Sequence, residues 1–248
     1  MRQNGMLRGL ATFSSCACAL AVAGCSSGTS GEREASFHSQ RAITAVLQLP
    51  ATSAQSYRDL LPLTFDMPDD LEAMVTVVSY DEVTAPLVPY REGYVMLSCK
   101  HQGSAGWYTL TMPVTDQTAN DLGRAVGFPK YVADRIDLTE GAGGAWTGEV
   151  VHGGRSVLRM EFTPSAEPVT TSLAGSDPAF TLVPPGEGPT IYEVTIRGSR
   201  SAATTSGTAS IASQAEESWA ELLSQATASS AQFAETDGDW YLDSNERR

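Results

Sequence analysis

From residue 37 onward, apolar and polar residues alternate in short runs, and this period of two is typical of β-strands. Two hairpins give the clearest signal, with turns at 103–106 and at Gly153-Gly154 between strands rich in Val, Tyr, Trp and Thr. The pattern predicts strands at 42–49, 75–80, 94–101, 107–112, 146–152, 156–162, 180–183, 191–197, 204–211 and 233–242.

Three segments instead carry helix signals. Ser53 is a candidate N-cap for a helix at 53–61, and Thr115-Asp116 opens a second at 115–126, which ends at the following Gly-Phe-Pro. A third helix is predicted at 216–228, where an apolar face recurs at helical spacing. The chain therefore predicts one mainly β (α+β) domain, residues 37–248, built as a barrel-like sheet with a few short helices.

The first 24 residues read as a signal peptide. Arg2 and Arg8 precede an apolar run at 10–23, which is about the length of a signal-peptide core. The run ends in Val-Ala-Gly before Cys25, a sequence that resembles a bacterial lipobox. We therefore expect Cys25 to be lipidated, with palmitate among its acyl chains, and to anchor an extracytoplasmic protein to a bacterial membrane through a flexible tether at 25–36. An ordinary secretory signal with a chance cysteine is the alternative.

The remaining composition narrows the chemistry. Loss of residues 1–24 leaves 14 basic and 29 acidic residues, a formal charge of −15, which argues against a nucleic-acid partner. Cys99 is then the one cysteine besides Cys25, and its strand-like surroundings predict a buried small hydrophobe. Only Lys100 and Lys130 can supply a side-chain amine. The three histidines are scattered in sequence, so no metal site is expected, and no cofactor motif is present.

One stretch carries a specific motif. Gly123-Arg124 is followed by a short spacer and then by Phe128-Pro129-Lys130, and this stretch resembles the acetoacetate decarboxylase family. In that family, Gly-Arg and an aromatic-Pro-Lys lead to the lysine that forms a Schiff base. Further segments fall in family order, so the resemblance spans roughly residues 37–243.

The resemblance implies a fold and a set of site residues. The fold is a β-barrel or cone with a second antiparallel sheet wrapped round it and an interior cavity that holds the lysine. Lys130 and Glu92, the latter in the family's Tyr-x-Glu segment, would be catalytic. Arg41, in the family's N-terminal segment, would hold the substrate carboxylate, and Phe128 and Tyr131 would line the substrate pocket.

This sequence departs from the family pattern at three places. Ala125 stands where the family has the Glu of Gly-Arg-Glu, and Tyr131 stands where a second lysine often follows the first. The strand at 75–80 lacks the family's other active-site Glu, although Asp81 and Glu82 lie just beyond it. The lysine is retained while part of its acid network is missing.

The chemistry of Lys130 can be reasoned from its type and neighbours. An amine attacks a carbonyl only when it is neutral, and burial among apolar side chains penalises the charged ammonium. The activated lysine of acetoacetate decarboxylase is an established example. Because that charge is costly to bury, alanine at position 130 is expected to be tolerated. Lys100 is expected to face solvent.

The sequence thus predicts a Schiff-base lyase that decarboxylates a small β-keto acid. Two alternatives remain open: an aldolase-dehydratase on the same fold, and a non-catalytic lipoprotein that binds a small carboxylate in its cavity. A homo-oligomer is compatible with either.

Overall fold

The structure, a computed structural model, describes residues 35–173, 178–183 and 190–247. The signal peptide, Cys25 and all but the last two residues of the tether lie outside these ranges. Within them, strands predominate and the three α-helices are short. The strands are β1 Phe37–Gln48, β2 Glu72–Val83, β3 Tyr90–His101, β4 Ser104–Val114, β5 Lys130–Val132, β6 Arg135–Glu140, β7 Trp146–His152, β8 Arg155–Pro164, β9 Val169–Leu173, β10 Ala179–Val183, β11 Thr190–Ala212 and β12 Thr227–Arg247; the helices are α1 Ala54–Leu60, α2 Gln117–Ala125 and α3 Ser218–Ser224.

The described strands form one large mixed sheet in the order β10-β4-β3-β2-β1-β12-β11-β8-β7-β6. The first part of this sheet curls back on itself, because β10 also pairs with β11. Its parallel contact with β4 is limited to two residue pairs, at Trp107 and Tyr108. The mainly β fold is confirmed. Its sheet is curled, and within the described residues this short pairing alone closes the curl between β10 and β4.

Alternation along the strands of the curl separates two cores. On β1, Ile43 and Ala45 face one apolar cluster, which α1, α3 and β6–β8 cover from outside. Ala42 and Val46 face the other, inside the curl, together with Trp240 of β12. The two layers approach closely at Gly148, where an added Cβ would lie 2.7 Å from Cβ of Val77.

Both predicted hairpins and all three helices are confirmed, with changes in their ends. The third helix stops at Ser224 rather than at 228, because β12 begins at Thr227. The strands predicted at 191–197 and 204–211 are halves of one 23-residue strand, β11. No helix in the described part of the chain is long and apolar enough to cross a membrane.

Candidate active site

Lys130 is placed by the turn that follows α2. Asp116 caps this helix by accepting a hydrogen bond from the Ala119 N–H at 2.8 Å, and Gly127 then takes a φ of +85°. An added Cβ at Gly127 would lie 2.7 Å from the backbone of Leu182, so only glycine fits this turn without strain. The chain can therefore reverse and lay β5 parallel to β4, with Lys130 beside Met112.

Arg124 holds this turn from the helix side. Its guanidinium donates a hydrogen bond to the backbone carbonyl of Lys130 at 3.1 Å. The Phe128 N–H donates to the carbonyl of Gly123 at 3.0 Å, which closes the turn on itself. Arg124 thus positions the backbone of Lys130 and makes this contact without using the Lys130 amine.

The Lys130 amine meets Glu92 in the interior of the curl. The two side chains are fully buried, and Nζ lies 2.5 Å from Oε2 of Glu92. Desolvation by burial raises the pKa of Glu92 from 4.5 to about 7, although the neighbouring Lys130 charge opposes this rise. A carboxyl with such a pKa can gain or lose a proton near neutral pH, as a general acid or base must.

Aromatic rings surround this pair. The Tyr90 ring lies 5.8 Å from Lys130 Nζ, and the Tyr80 ring follows it at a centroid distance of 4.7 Å. Phe128 is buried in the same core cluster. These side chains give the amine the largely apolar surroundings that its chemistry requires.

Two of the five predicted catalytic and substrate-binding residues lie elsewhere. Arg41 forms a two-point ion pair with Asp81, with Nε 2.8 Å from Oδ2, and its guanidinium lies 5.9 Å from the Trp146 ring, which belongs to the outer core. Tyr131 packs against the His152 ring at 4.7 Å. The reason is alternation: Arg41 and Tyr131 each follow a residue that faces the interior, so each faces the other way.

Sequence reasoning missed two buried polar residues of the interior. Gln40, directly before Arg41, is 1% exposed, and Arg200 of β11 is 3% exposed with its guanidinium 5.6 Å from the Trp240 ring. A buried arginine within a strand of small polar residues gives no sequence signal. Gln40 shares the parity of Ala42 and Val46 on β1, but the continuous burial of residues 42–47 hides this period of two in the sequence.

The other candidate nucleophiles are occupied or shielded. Lys100 forms an ion pair with Asp69 at 2.7 Å near the surface. Cys99 is buried, and desolvation raises the pKa of its thiol to about 12. Neither side chain shares the environment of Lys130.

A comparison with sequence models of protein families identifies one family. The sequence model described as acetoacetate decarboxylase matches residues 27–230. No curated protein sequence matches the chain.

Solved structures show the same fold at low identity. An acetoacetate decarboxylase-like enzyme from Sphingomonas wittichii RW1 is 16% identical, with a TM-score of 0.68 over 86% of this chain and 92% of that one. Acetoacetate decarboxylase from Legionella pneumophila is 14% identical, with a TM-score of 0.69 over 87% of each chain. The enduracididine biosynthesis enzyme MppR in complex with pyruvate is 14% identical, with a TM-score of 0.69 over 86% of this chain and 89% of that one. With most of its length matched by the family's sequence model and its fold shared with these structures, the chain belongs to the acetoacetate decarboxylase family.

Proposed function

We propose that this protein is a carboxy-lyase that decarboxylates a small β-keto acid through an imine on Lys130. The observation that carries the proposal is the Lys130–Glu92 pair, which is fully buried with 2.5 Å between nitrogen and oxygen. Stability alone does not explain such a pair, since replacing a buried ion pair with apolar residues is often neutral or stabilising. A role in the chemistry of the site explains why both charges are buried. The position of the pair beside Tyr90 and Phe128 suits catalysis.

Glu92 supplies what the amine needs. When the proton of the pair sits on Glu92, the Lys130 amine is neutral and its lone pair can attack the ketone carbon. The protonated Glu92 then returns that proton to the hydroxyl of the carbinolamine, which leaves as water and gives the iminium. A carboxyl whose pKa lies at about 7 is suited to both steps.

The iminium makes loss of CO2 feasible. The electrons of the breaking carbon–carbon bond move into the iminium, which gives an enamine and releases CO2. The enamine carbon takes up a proton from solvent, and water then hydrolyses the new iminium to the ketone and the neutral amine, with the released proton returning to Glu92. The Tyr90 ring beside the Lys130 amine offers an apolar environment, and such surroundings favour formation of neutral CO2 over the charged acid.

A second candidate is an aldolase-dehydratase at the same lysine. Glu92 is the one carboxyl that contacts Lys130 among the described residues. One structural neighbour, MppR, is known with the condensation product of pyruvate and imidazole 4-carboxaldehyde, a compound of aldolase-type chemistry. On this chain the same imine would direct the enamine to an aldehyde instead of releasing CO2. A non-catalytic carboxylate-binding lipoprotein is the remaining alternative.

We also propose that the protein is lipidated on Cys25 and held at the outer side of a bacterial membrane. The Val-Ala-Gly-Cys sequence after a short apolar run supports this, together with the polar tether that follows. The curled sheet begins at Phe37, so the tether would join the anchor directly to β1.

Because the chain has only two lysines, a covalent adduct can be assigned to one of them without ambiguity. The protein is incubated with acetoacetate or pyruvate near pH 7, reduced with borohydride and digested, and the peptides are weighed. We expect the reduced adduct on the peptide that contains Lys130 and no adduct on the Lys100 peptide. Lys130→Arg keeps a cation beside Glu92 but removes the nucleophile, so adduct and CO2 release should both disappear. Lys100→Arg is the matched control and should retain both.

The outcomes separate the candidates. An adduct with release of CO2 supports the decarboxylase, and an adduct without CO2 favours the aldolase-type reaction. The absence of any adduct with several keto acids would refute imine chemistry and leave the binding protein.

A further inference from the structure

The interior of the curl contains a second group of buried polar side chains, on β1 and β12, separate from the Lys130–Glu92 pair. Gln40 of β1 and Thr236 of β12 lie directly opposite each other and are both 1% exposed. Neither atom of the Gln40 carboxamide has a hydrogen-bond partner in the described part of the chain, and the same holds for the Thr236 hydroxyl. Buried polar atoms without partners are uncommon and destabilising in a folded protein.

Gln40 and Lys130 belong to one continuous interior surface. The register places Gln40 opposite Tyr80 of β2, and Tyr80 opposite Tyr90 of β3. The two tyrosine rings are 4.7 Å apart, and the Tyr90 ring lies 5.8 Å from Lys130 Nζ. The Gln40 and Tyr90 backbones are two strand spacings apart, roughly 10 Å.

The chemistry of a carboxamide restricts what could pair with it. Its nitrogen donates two hydrogen bonds and its oxygen accepts, and the Thr236 hydroxyl can do either. A carboxylate has no proton to donate and would leave the Gln40 oxygen unpaired. A hydroxyl or a carboxamide can donate to Oε1 and accept from Nε2 or from Thr236.

We infer that Gln40 and Thr236 form a substrate subsite for a neutral group that both donates and accepts hydrogen bonds. The substrate class is therefore a keto acid with a hydroxyl or carboxamide beyond its ketone, rather than plain acetoacetate. This inference rests on the proposed imine at Lys130 and adds the recognition of the far end of the substrate. Gln40 and Thr236 are specificity residues and take no part in the bond-breaking steps.

The test compares two β-keto acids of equal length, 5-hydroxy-3-oxopentanoate and 3-oxohexanoate, which differ only in a terminal hydroxyl or methyl. The readout is the ratio of their rates of borohydride-trapped adduct formation at Lys130. We expect the wild-type protein to prefer the hydroxy acid by about tenfold or more, and Gln40→Met to lose most of this preference. Thr236→Val conserves the shape of the side chain and should lose part of the preference for the hydroxy acid. This second variant keeps the subsite testable if Gln40→Met fails to fold.

Gln48→Met is the matched control. Gln48 is also on β1, but it is exposed and donates to the carbonyl of Leu71 at 3.0 Å, so the preference should be unchanged. Equal rates for the two acids in the wild-type protein, or an unchanged preference in both Gln40→Met and Thr236→Val, would overturn the subsite.

If neither acid forms an adduct, the proposed imine chemistry is refuted, and calorimetric titration with the same two acids decides the subsite separately. Tighter binding of the hydroxy acid in the wild-type protein but not in Gln40→Met would support it, and equal binding would overturn it.

Discussion

Replacing Lys130 with methionine should make the stability of the protein depend more strongly on pH. Methionine fills the space of the lysine stem but leaves Glu92 alone in the interior, without the two Lys130 interactions that lower its pKa. The pKa of Glu92, already about 7 beside Lys130, should then rise further. This revises the expectation from sequence that alanine at position 130 is tolerated, because Lys130 is the only partner of Glu92 among the described residues.

The sign follows from proton linkage. A carboxyl whose pKa is higher in the folded than in the unfolded protein binds its proton more tightly when folded. Its contribution is fully present below its unfolded pKa of about 4.5 and is lost as the pH rises through the folded value. Each pH unit within that window removes at most about 1.4 kcal/mol from the free energy of unfolding. Lys130→Met should therefore lose about 3 kcal/mol between pH 5 and pH 8.

The control is the double variant Lys130→Met/Glu92→Leu, which removes both charges. Replacing a buried pair with apolar residues is often neutral or stabilising, whereas removing one partner costs about 3–5 kcal/mol. Urea unfolding followed by tryptophan fluorescence at pH 5, 6.5 and 8 measures the difference between the two variants. We expect it to be small at pH 5 and about 3 kcal/mol at pH 8. A difference that stays constant with pH would show that Glu92 is not the titrating group and would refute the reasoning.

Three further predictions concern other parts of the molecule. Cys25→Ala should move the protein from the membrane to the soluble fraction, and a wild-type protein that is already soluble and carries no acyl mass would contradict lipidation. Cys99, whose thiol pKa is raised to about 12 by burial, should resist iodoacetamide at pH 8 in the native protein and react after denaturation; rapid native labelling would contradict its burial. Gly148→Ala should destabilise the protein by about 1–3 kcal/mol, because the new Cβ would lie 2.7 Å from Cβ of Val77, whereas Gly141→Ala meets only ordinary contacts and should unfold at nearly the wild-type urea concentration.

The sequence predicts the local elements of this fold well and its pairing poorly. Hairpins with glycine turns, such as the one at Gly153-Gly154, carry their own register, so they could be located. The long strand β11 could not, because Ser, Gly and Thr interrupt its alternation in the middle, where its hydrogen bonds to β12 hold it together. Such pairing depends on a partner distant in sequence.

The candidate site shows the same division. Lys130 stands in a specific local motif, and Glu92 lies in a segment of the resemblance, so both could be proposed. Arg41 is proposed because the resemblance implies an arginine in the N-terminal segment of the family, and a guanidinium suits a carboxylate. However, residues 42–47 are buried on both faces of β1, so the period of two that would reveal the direction of each side chain is hidden.

The pairing of the first described strand with the last has a consequence for how the candidate site forms during biosynthesis. β1 is hydrogen-bonded to β12 along nearly its whole length, and Trp240 near the end of β12 stacks on Phe37 at 4.4 Å. A nascent chain that has emerged only as far as β10 already contains Lys130 and Glu92 but lacks this wall of the interior. Contacts of such long sequence separation form late in folding. The Lys130–Glu92 pair therefore reaches its buried environment only after β12 has been synthesised and has paired with β1.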